Sequence, residues 1–227
     1  MTVPRPPQAV LFDLDGTLLD TAPDMAAALN SLRTLEGLDP IPFNQIRPYV
    51  SHGAARLIKI GFACESGQRF DALRARFLDL YRSDIAVGTR LFAGMDAVLG
   101  ALERRGIAWG VVTNKPGWLT DPLLAALGMS ARAGCVVSGD TLAERKPHPM
   151  PLLHAAKLLA VEPADCIYVG DAERDIQAGR SAGMTTLLAA FGYLSGEDDA
   201  ASWSADAIVN HPAELLELLG LDEADGQ

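Results

Sequence analysis

Ala9-Val10-Leu11-Phe12-Asp13-Leu14-Asp15-Gly16-Thr17 is the stretch from which the rest of the chain can be read. Its first four residues, Ala9–Phe12, form a short apolar run of the kind that makes a parallel strand buried on both faces. The run ends in two carboxylates, Asp13 and Asp15, which an extended chain leaves on the same side. Their like charges repel, and desolvating both at a strand end is costly. A divalent cation offsets that repulsion, and a hard ion such as Mg²⁺ prefers carboxylate oxygen. Gly16 permits a sharp exit from the strand, and Thr17 offers a hydroxyl to an anion bound there.

Working outward, the pattern turns helical after Asp20. Helices are expected over Pro23–Glu36, with Thr21 or Asp24 to cap the start and Gly37 to end it, and over Phe43–Tyr49 and Gly53–Phe62. A longer one is expected over Ser66–Asp84, where Phe70, Leu73, Phe77, Leu80 and Tyr81 recur at helical spacing. Leu38–Pro42 reads as a turn, and no strand is expected between Leu19 and Val87. From Phe92 strands and helices alternate. The strands are Ile107–Thr113, Cys135–Ser138, Cys166–Gly170, Thr185–Ala189 and an edge strand, Ala207–Val209. The helices are Met95–Arg105, Gly117–Leu127, Pro149–Leu159, Glu173–Ala182 and Pro212–Leu219. This order predicts an α/β fold, a doubly wound parallel sheet with an inserted α-helical block. Residues 1–18 and 88–227 are expected to form the core domain and 19–87 an α-helical cap domain. Parallel sheets bind ligands outside the carboxyl ends of their strands, so the insert is expected to lie over the site as a lid.

The 227 residues, 49% hydrophobic and 21% charged, are those of an ordinary globular protein. A net charge of −10 argues against nucleic acid or an anionic membrane as partner. It also means that an anionic ligand must be drawn in by a local positive site. Cys64, Cys135 and Cys166 lie far apart with no C-x-x-C spacing, which fits free thiols in a reducing compartment. No apolar stretch precedes the first strand as a secretion signal would, and none reaches the ~18–20 residues of a membrane span. A soluble, cytoplasmic protein is expected, with Asp222–Gln227 a frayed tail and Ser195–Ser204 the loosest internal segment.

D-L-D-G-T-L-L-D-T resembles the first motif of the haloacid dehalogenase superfamily, in its phosphatase branch. Three later segments match in order, each just past an expected strand. Thr113-Asn114-Lys115 resembles the second motif, Lys146-Pro147 the K-P motif, and Gly170-Asp171-Ala-Glu-Arg-Asp175 the G-D-x-x-x-D motif. The insertion between the first two motifs is similar to the α-helical cap of the phosphoglycolate-phosphatase-like group, on a Rossmann-like core. The P-Y-V-S-H-G-A turn and the T-N-K-P-x-W segment look most like the N-acetylmuramic acid 6-phosphate phosphatases within that group.

The resemblance implies an enzyme that hydrolyses a small phosphomonoester with Mg²⁺, acting as a monomer or homodimer. Asp13 is then the nucleophile that becomes phosphorylated and Asp15 the general acid and base; the second Asp sets phosphate chemistry apart from carbon–halogen cleavage. Thr113 and Asn114 bind phosphoryl oxygens, and Lys146, stiffened by Pro147 and Pro149, offsets the nucleophile's charge and grips phosphate. Mg²⁺ is held by Asp13, the main-chain carbonyl of Asp15 and Asp171, with Asp175 at one remove. His148 reads as a turn residue. In the insert, His52, Gly53 and Arg56 open a helix whose free amides could meet a substrate carboxylate or hydroxyl; a capped surface helix with a solvated Arg56 fits the same residues. Lys59 is expected to face solvent. Besides N-acetylmuramic acid 6-phosphate, 2-phosphoglycolate is an alternative substrate, and a sugar-phosphate mutase of the β-phosphoglucomutase type an alternative activity.

Overall fold

The strand β1 (Ala9–Phe12) lies near the middle of a six-stranded, all-parallel sheet in the computed structural model, which describes residues 6–221. All four of its residues are fully buried, and they alternate between the two faces of the sheet. Val10 and Phe12 enter one hydrophobic cluster, Ala9 and Leu11 the other. A strand sandwiched in this way has to be apolar throughout, which is why the motif begins as it does.

In chain order, β1 is followed by β2 (Leu19–Asp20), α1 (Ala22–Leu35), α2 (Phe43–Ile46), α3 (Gly53–Phe62), α4 (Gln68–Ser83) and β3 (Arg90–Leu91). Then come α5 (Met95–Arg104), β4 (Ala108–Val112), α6 (Gly117–Ala126), β5 (Cys135–Val137), α7 (Met150–Leu158) and β6 (Cys166–Gly170). The chain closes with α8 (Glu173–Ser181), β7 (Thr185–Ala189), β8 (Ala207–Val209) and α9 (Glu214–Leu218). The sheet order is β5-β4-β1-β6-β7-β8. From β1 the chain runs outward through β4 to β5, then returns to β6 on the other side of β1. That reversal lies between β1 and β6, where a doubly wound sheet opens a crevice for ligand. Phe12 pairs with Val111 on one side and Val169 on the other, so the ends of β1, β4 and β6 are level.

Helices α1, α3 and α4 pack on one another, and their buried Leu29, Leu57, Leu73 and Phe77 join the cluster that holds Val10 and Phe12. Asp24, buried in α1, accepts hydrogen bonds from Gly88 N–H at 2.6 Å, Thr89 N–H at 2.9 Å and Thr89 Oγ1 at 2.6 Å. One carboxylate thereby ties the start of the helical block to the segment that returns from it.

Three local expectations are corrected. Leu19–Asp20 is a strand after all, pairing antiparallel with Arg90–Leu91 across the neck of the helical block; two residues are too short to carry any period. The helix expected over Phe43–Tyr49 ends at Ile46, and a 3₁₀ segment runs from Arg47 to His52, because Pro48 has no N–H to continue an α ladder. Neither proposed cap of α1 serves: Thr21 stands at the N-cap without a capping hydrogen bond, and Asp24 is spent on Gly88 and Thr89. Ser195–Ser204 includes a 3₁₀ turn at Ala200–Trp203. The tail expected at Asp222–Gln227 lies outside the described residues. All three cysteines are free. Among the described residues no helix is long and apolar enough to cross a membrane.

Candidate active site

Asp13 follows β1 directly, at the reversal, and is 2% exposed. Its Oδ1 meets Lys146 Nζ at 2.8 Å, and Arg174 stands 4.0 Å from its Oδ2. Lys146, wholly buried, also contacts Asp175 Oδ1 at 2.8 Å and donates toward Val112 O at 2.8 Å and Tyr168 Oη at 2.7 Å. An ammonium with its donors so fully engaged has no freedom to swing away. Its backbone is fixed as well: Asn114 accepts from Lys146 N–H at 3.1 Å and donates to Lys146 O at 2.8 Å. Asn114, expected to bind phosphoryl oxygen, lines the cavity, and its Oδ1 and one of its two amide N–H groups hold Lys146. Thr113 follows β4 and lines the cavity, its Oγ1 accepting Lys115 N–H at 3.1 Å.

Asp15 is held apart from Asp13 by a different lysine. Lys115 Nζ lies 2.9 Å from Asp15 Oδ1 and 3.2 Å from Oδ2, and Thr21 Oγ1 donates to Oδ1 at 2.6 Å. Burial alone would lower the Lys115 pKa, but the Asp15 carboxylate more than reverses this and raises it. The ammonium also sits 4.6 Å from the centre of the Tyr81 ring, on α4 of the helical block. Neither Lys115 nor Arg174 is singled out by sequence alone, although both stand inside quoted motifs. Only the direction of a side chain distinguishes such a lysine from a solvated one.

Asp171 follows β6. Its Oδ2 accepts from Ser51 Oγ at 2.5 Å and Tyr193 N–H at 3.0 Å. Its Oδ1 is buried without a hydrogen-bond partner among the described residues. Asp13, Asp171 and Asp175 each bring a carboxylate oxygen within 4.8 Å of the others. Burial first, then the charges of Asp13 and Asp175, push the Asp171 carboxyl up to about 7. Burial likewise raises Asp13 despite Lys146, whereas Lys146 and Arg174 overcome burial at Asp175 and lower it. Crowded oxygens, an orphaned carboxylate atom and an all-oxygen donor set fit a hard divalent cation. Asp175 has its own duties: Oδ1 is on Lys146, and Oδ2 accepts Ala172 N–H at 3.1 Å at the start of α8. Gly16 has φ +87°, and a Cβ there would collide with Asp171 Oδ2, so the turn after the strand admits only glycine. Thr17 is fully buried, lacks a hydrogen-bond partner among the described residues, and lies outside the cavity lining.

Asp13, Asp15, Thr113, Asn114, Lys115 and Lys146 form the floor of a cavity of about 620 Å³ whose roof comes from the helical block; Asp171 and Asp175 are outside its lining. Val50, Ser51, His52, Gly53, Ala54, Phe70, Arg74, Leu78 and Tyr81 line it from that side, Lys115, Leu119, Arg145, Lys146 and Arg174 from the other. Ser51 joins the two sides, its carbonyl accepting from Arg174 at 2.9 Å. His52 and Gly53 are in the wall as expected. Surrounding protein first, and the positive charge of Arg174 second, hold the His52 pKa below its usual value. Arg56 is a correction: its guanidinium lies 4.9 Å from the Tyr49 ring centre and 3.2 Å from Glu197, and it is absent from the cavity lining. Lys59 pairs at the surface with Glu65 at 2.7 Å, and His148 Nδ1 accepts Met150 N–H at 3.2 Å in a turn.

The family model for haloacid dehalogenase-like hydrolases matches residues 10–189, from β1 to the end of β7. The chain belongs to this family. The hydrolase is 47% identical over 213 residues to a phosphoglycolate phosphatase of Xanthomonas campestris, an alignment covering 94% of this chain and 96% of that one. It is 41% identical over 213 residues to an N-acetylmuramic acid 6-phosphate phosphatase of Pseudomonas putida, covering 93% and 96%. A solved structure from Haemophilus somnus, described as a predicted phosphoglycolate phosphatase, superposes with a TM-score of 0.83 at 28% identity, covering 95% of this hydrolase and 99% of that chain. The enzyme is therefore a phosphatase, and its family generally uses Mg²⁺.

Proposed function

We propose that this phosphatase hydrolyses a phosphomonoester through an aspartyl-phosphate on Asp13, with Mg²⁺, and that its substrate is N-acetylmuramic acid 6-phosphate. Residues 19–87 serve as a cap domain over a core of residues 1–18 and 88–227. The observation that carries the reading is the cavity of about 620 Å³ with Asp13 and Asp15 on its floor. A volume of that order suits a substituted sugar, whereas the two-carbon 2-phosphoglycolate would leave most of it to water.

The chain's own groups supply the steps. Lys146, locked on Asp13 at 2.8 Å, aims the carboxylate and offsets part of the cost of burying its charge, and Asp13 attacks phosphorus in line as the ester bond breaks. Asp15 gives its proton to the departing sugar oxygen, then takes one from the water that hydrolyses the aspartyl-phosphate. Lys115 and Thr21 fix its carboxyl group in place. Thr113 and Arg174 lie where phosphoryl oxygens would be gripped. Mg²⁺, held by Asp13, the Asp15 carbonyl and Asp171 with Asp175 beside them, would offset the carboxylates' repulsion and withdraw charge from the phosphoryl group. Gly53 N–H and the neutral His52 serve the sugar.

The rival substrate rests on the relatives named phosphoglycolate phosphatase. Phosphate release with Mg²⁺ should be measured from N-acetylmuramic acid 6-phosphate, 2-phosphoglycolate and glucose 6-phosphate. The reading expects a preference of about 100-fold or more in kcat/KM for the muramic compound, about 2.7 kcal/mol of transition-state discrimination. The reverse preference overturns the substrate and leaves the chemistry. Sugar phosphate rearranged without release of phosphate would make the enzyme a mutase.

A further inference from the structure

Phe70, Arg74, Leu78 and Tyr81 form a single stripe along α4, at steps of four, four and three residues, and all four line the cavity. Three of them make an apolar wall; the fourth is a cation. Tyr81 fixes one end of the stripe at the chemistry, since Lys115 over its ring also holds Asp15. Arg74 stands seven residues earlier, two turns away, or ~10 Å along the axis.

Arg74 is exposed and has no hydrogen-bond or ion-pair partner among the described residues. The other cations at hand are differently placed. Lys115, Lys146 and Arg174 are engaged on the floor, and Arg56 is spent on Glu197. Arg145 also lacks a partner among the described residues, but it lines the cavity from the core side, next to Lys146 in the chain, and not from the wall opposite. His52 titrates below its usual range and adds no charge at neutral pH.

We propose that Arg74 is the leaving-group anion site: it pairs with a carboxylate carried across the sugar from the phosphate, and so selects substrates by length as well as charge. This rests on the substrate reading above. In 2-phosphoglycolate only a few bonds separate phosphorus from the carboxylate, about 4 Å, so with phosphorus at Asp13 the acid group stays near the floor. In a hexose 6-phosphate with a lactyl ether on the far side of the ring, the separation is about 8–9 Å, which carries the carboxylate off the floor toward the wall that holds Arg74. A charge-assisted, bidentate contact suffices for a discrimination of about 10–100-fold.

The test compares N-acetylmuramic acid 6-phosphate with N-acetylglucosamine 6-phosphate, the same sugar without the lactyl group, in wild type, Arg74→Gln and Arg74→Lys. Binding is read separately by calorimetry in an Asp13→Asn background. Wild type is expected to favour the muramic compound by about 10–100-fold. Arg74→Gln should lose that preference with N-acetylglucosamine 6-phosphate unchanged, and Arg74→Lys should restore part of it. A wild-type preference that survives in Arg74→Gln overturns the assignment of Arg74 but not the substrate. An equal fall on both sugars also overturns it, since it shows a general role. A wild type indifferent to the lactyl group overturns the substrate reading and this inference with it.

Discussion

The two ends of the cavity are built on opposite principles. On the floor every charge of Asp13, Asp15, Lys115 and Lys146 is matched by a partner inside the protein, and Lys146 is buried completely. On the far wall, Phe70 and Leu78 flank Arg74, which has no partner among the described residues. The floor is set before any substrate arrives, as a transition-state site must be. The wall is left to be completed by the substrate. Catalytic electrostatics and substrate choice are thus separated in space, and they should separate under mutation.

The largest effect is expected at Lys146. In Lys146→Met, Asp13 and Asp175 lose the ammonium they share, and breaking a buried ion pair from one side costs about 3–5 kcal/mol. Urea unfolding of metal-free protein should show this loss together with loss of turnover. A variant as stable as wild type would mean that the floor is less tightly coupled than its distances imply.

Asp171 sharpens the comparison through pH. Its carboxyl titrates at about 7 in the folded protein and near 3.9 when unfolded. Between those values the folded state holds a proton that the unfolded state has lost. Metal-free stability should therefore fall as pH rises from about 4 to 7, with a slope of up to about 1.4 kcal/mol per pH unit. Asp171→Asn, which keeps an oxygen for Ser51 and the Tyr193 N–H, should flatten that slope, gain stability at pH 8 and lose the stabilisation that Mg²⁺ gives wild type. Thermal melts across pH with and without Mg²⁺ measure all three, and an unchanged slope would contradict the crowding argument.

The order of these effects follows what the sequence made legible. Asp13, Asp15, Lys146 and Asp171 could be found because each stands next to a strand whose apolar run is itself visible. Lys115, Arg174 and Ser51 act through contacts across 100 or more residues, to Asp15, Asp13 and Asp171, and no local period encodes such a meeting. Nearness to His52 in the chain points to Arg56, yet α3 turns it toward Glu197. Nothing in the sequence marks Arg74, because Phe70 and Tyr81 read as ordinary core spacing; that the stripe faces a cavity depends on how α4 sits over the sheet. The fold was readable from alternation, and the two-residue ribbon β2–β3 was not, being shorter than any pattern.

Smallest of all should be the stability effect of Arg74→Gln. An exposed side chain without partners among the described residues contributes little, so the change should lie within about 0.5 kcal/mol while substrate preference moves. A large loss of stability would show that Arg74 belongs to the packing and would erase the contrast between the ends.

The central claim is that Asp13 itself carries the phosphoryl group, and trapping it there is the direct test. Asp15→Asn should be mixed with Mg²⁺ and p-nitrophenyl phosphate, whose leaving group departs without an acid. Asp13 should still be phosphorylated while hydrolysis stalls, giving a burst of about one p-nitrophenolate per enzyme and a phosphoryl group on the Asp13 peptide by mass spectrometry. Slow turnover without a burst, or a phosphoryl group on any other residue, would contradict the account.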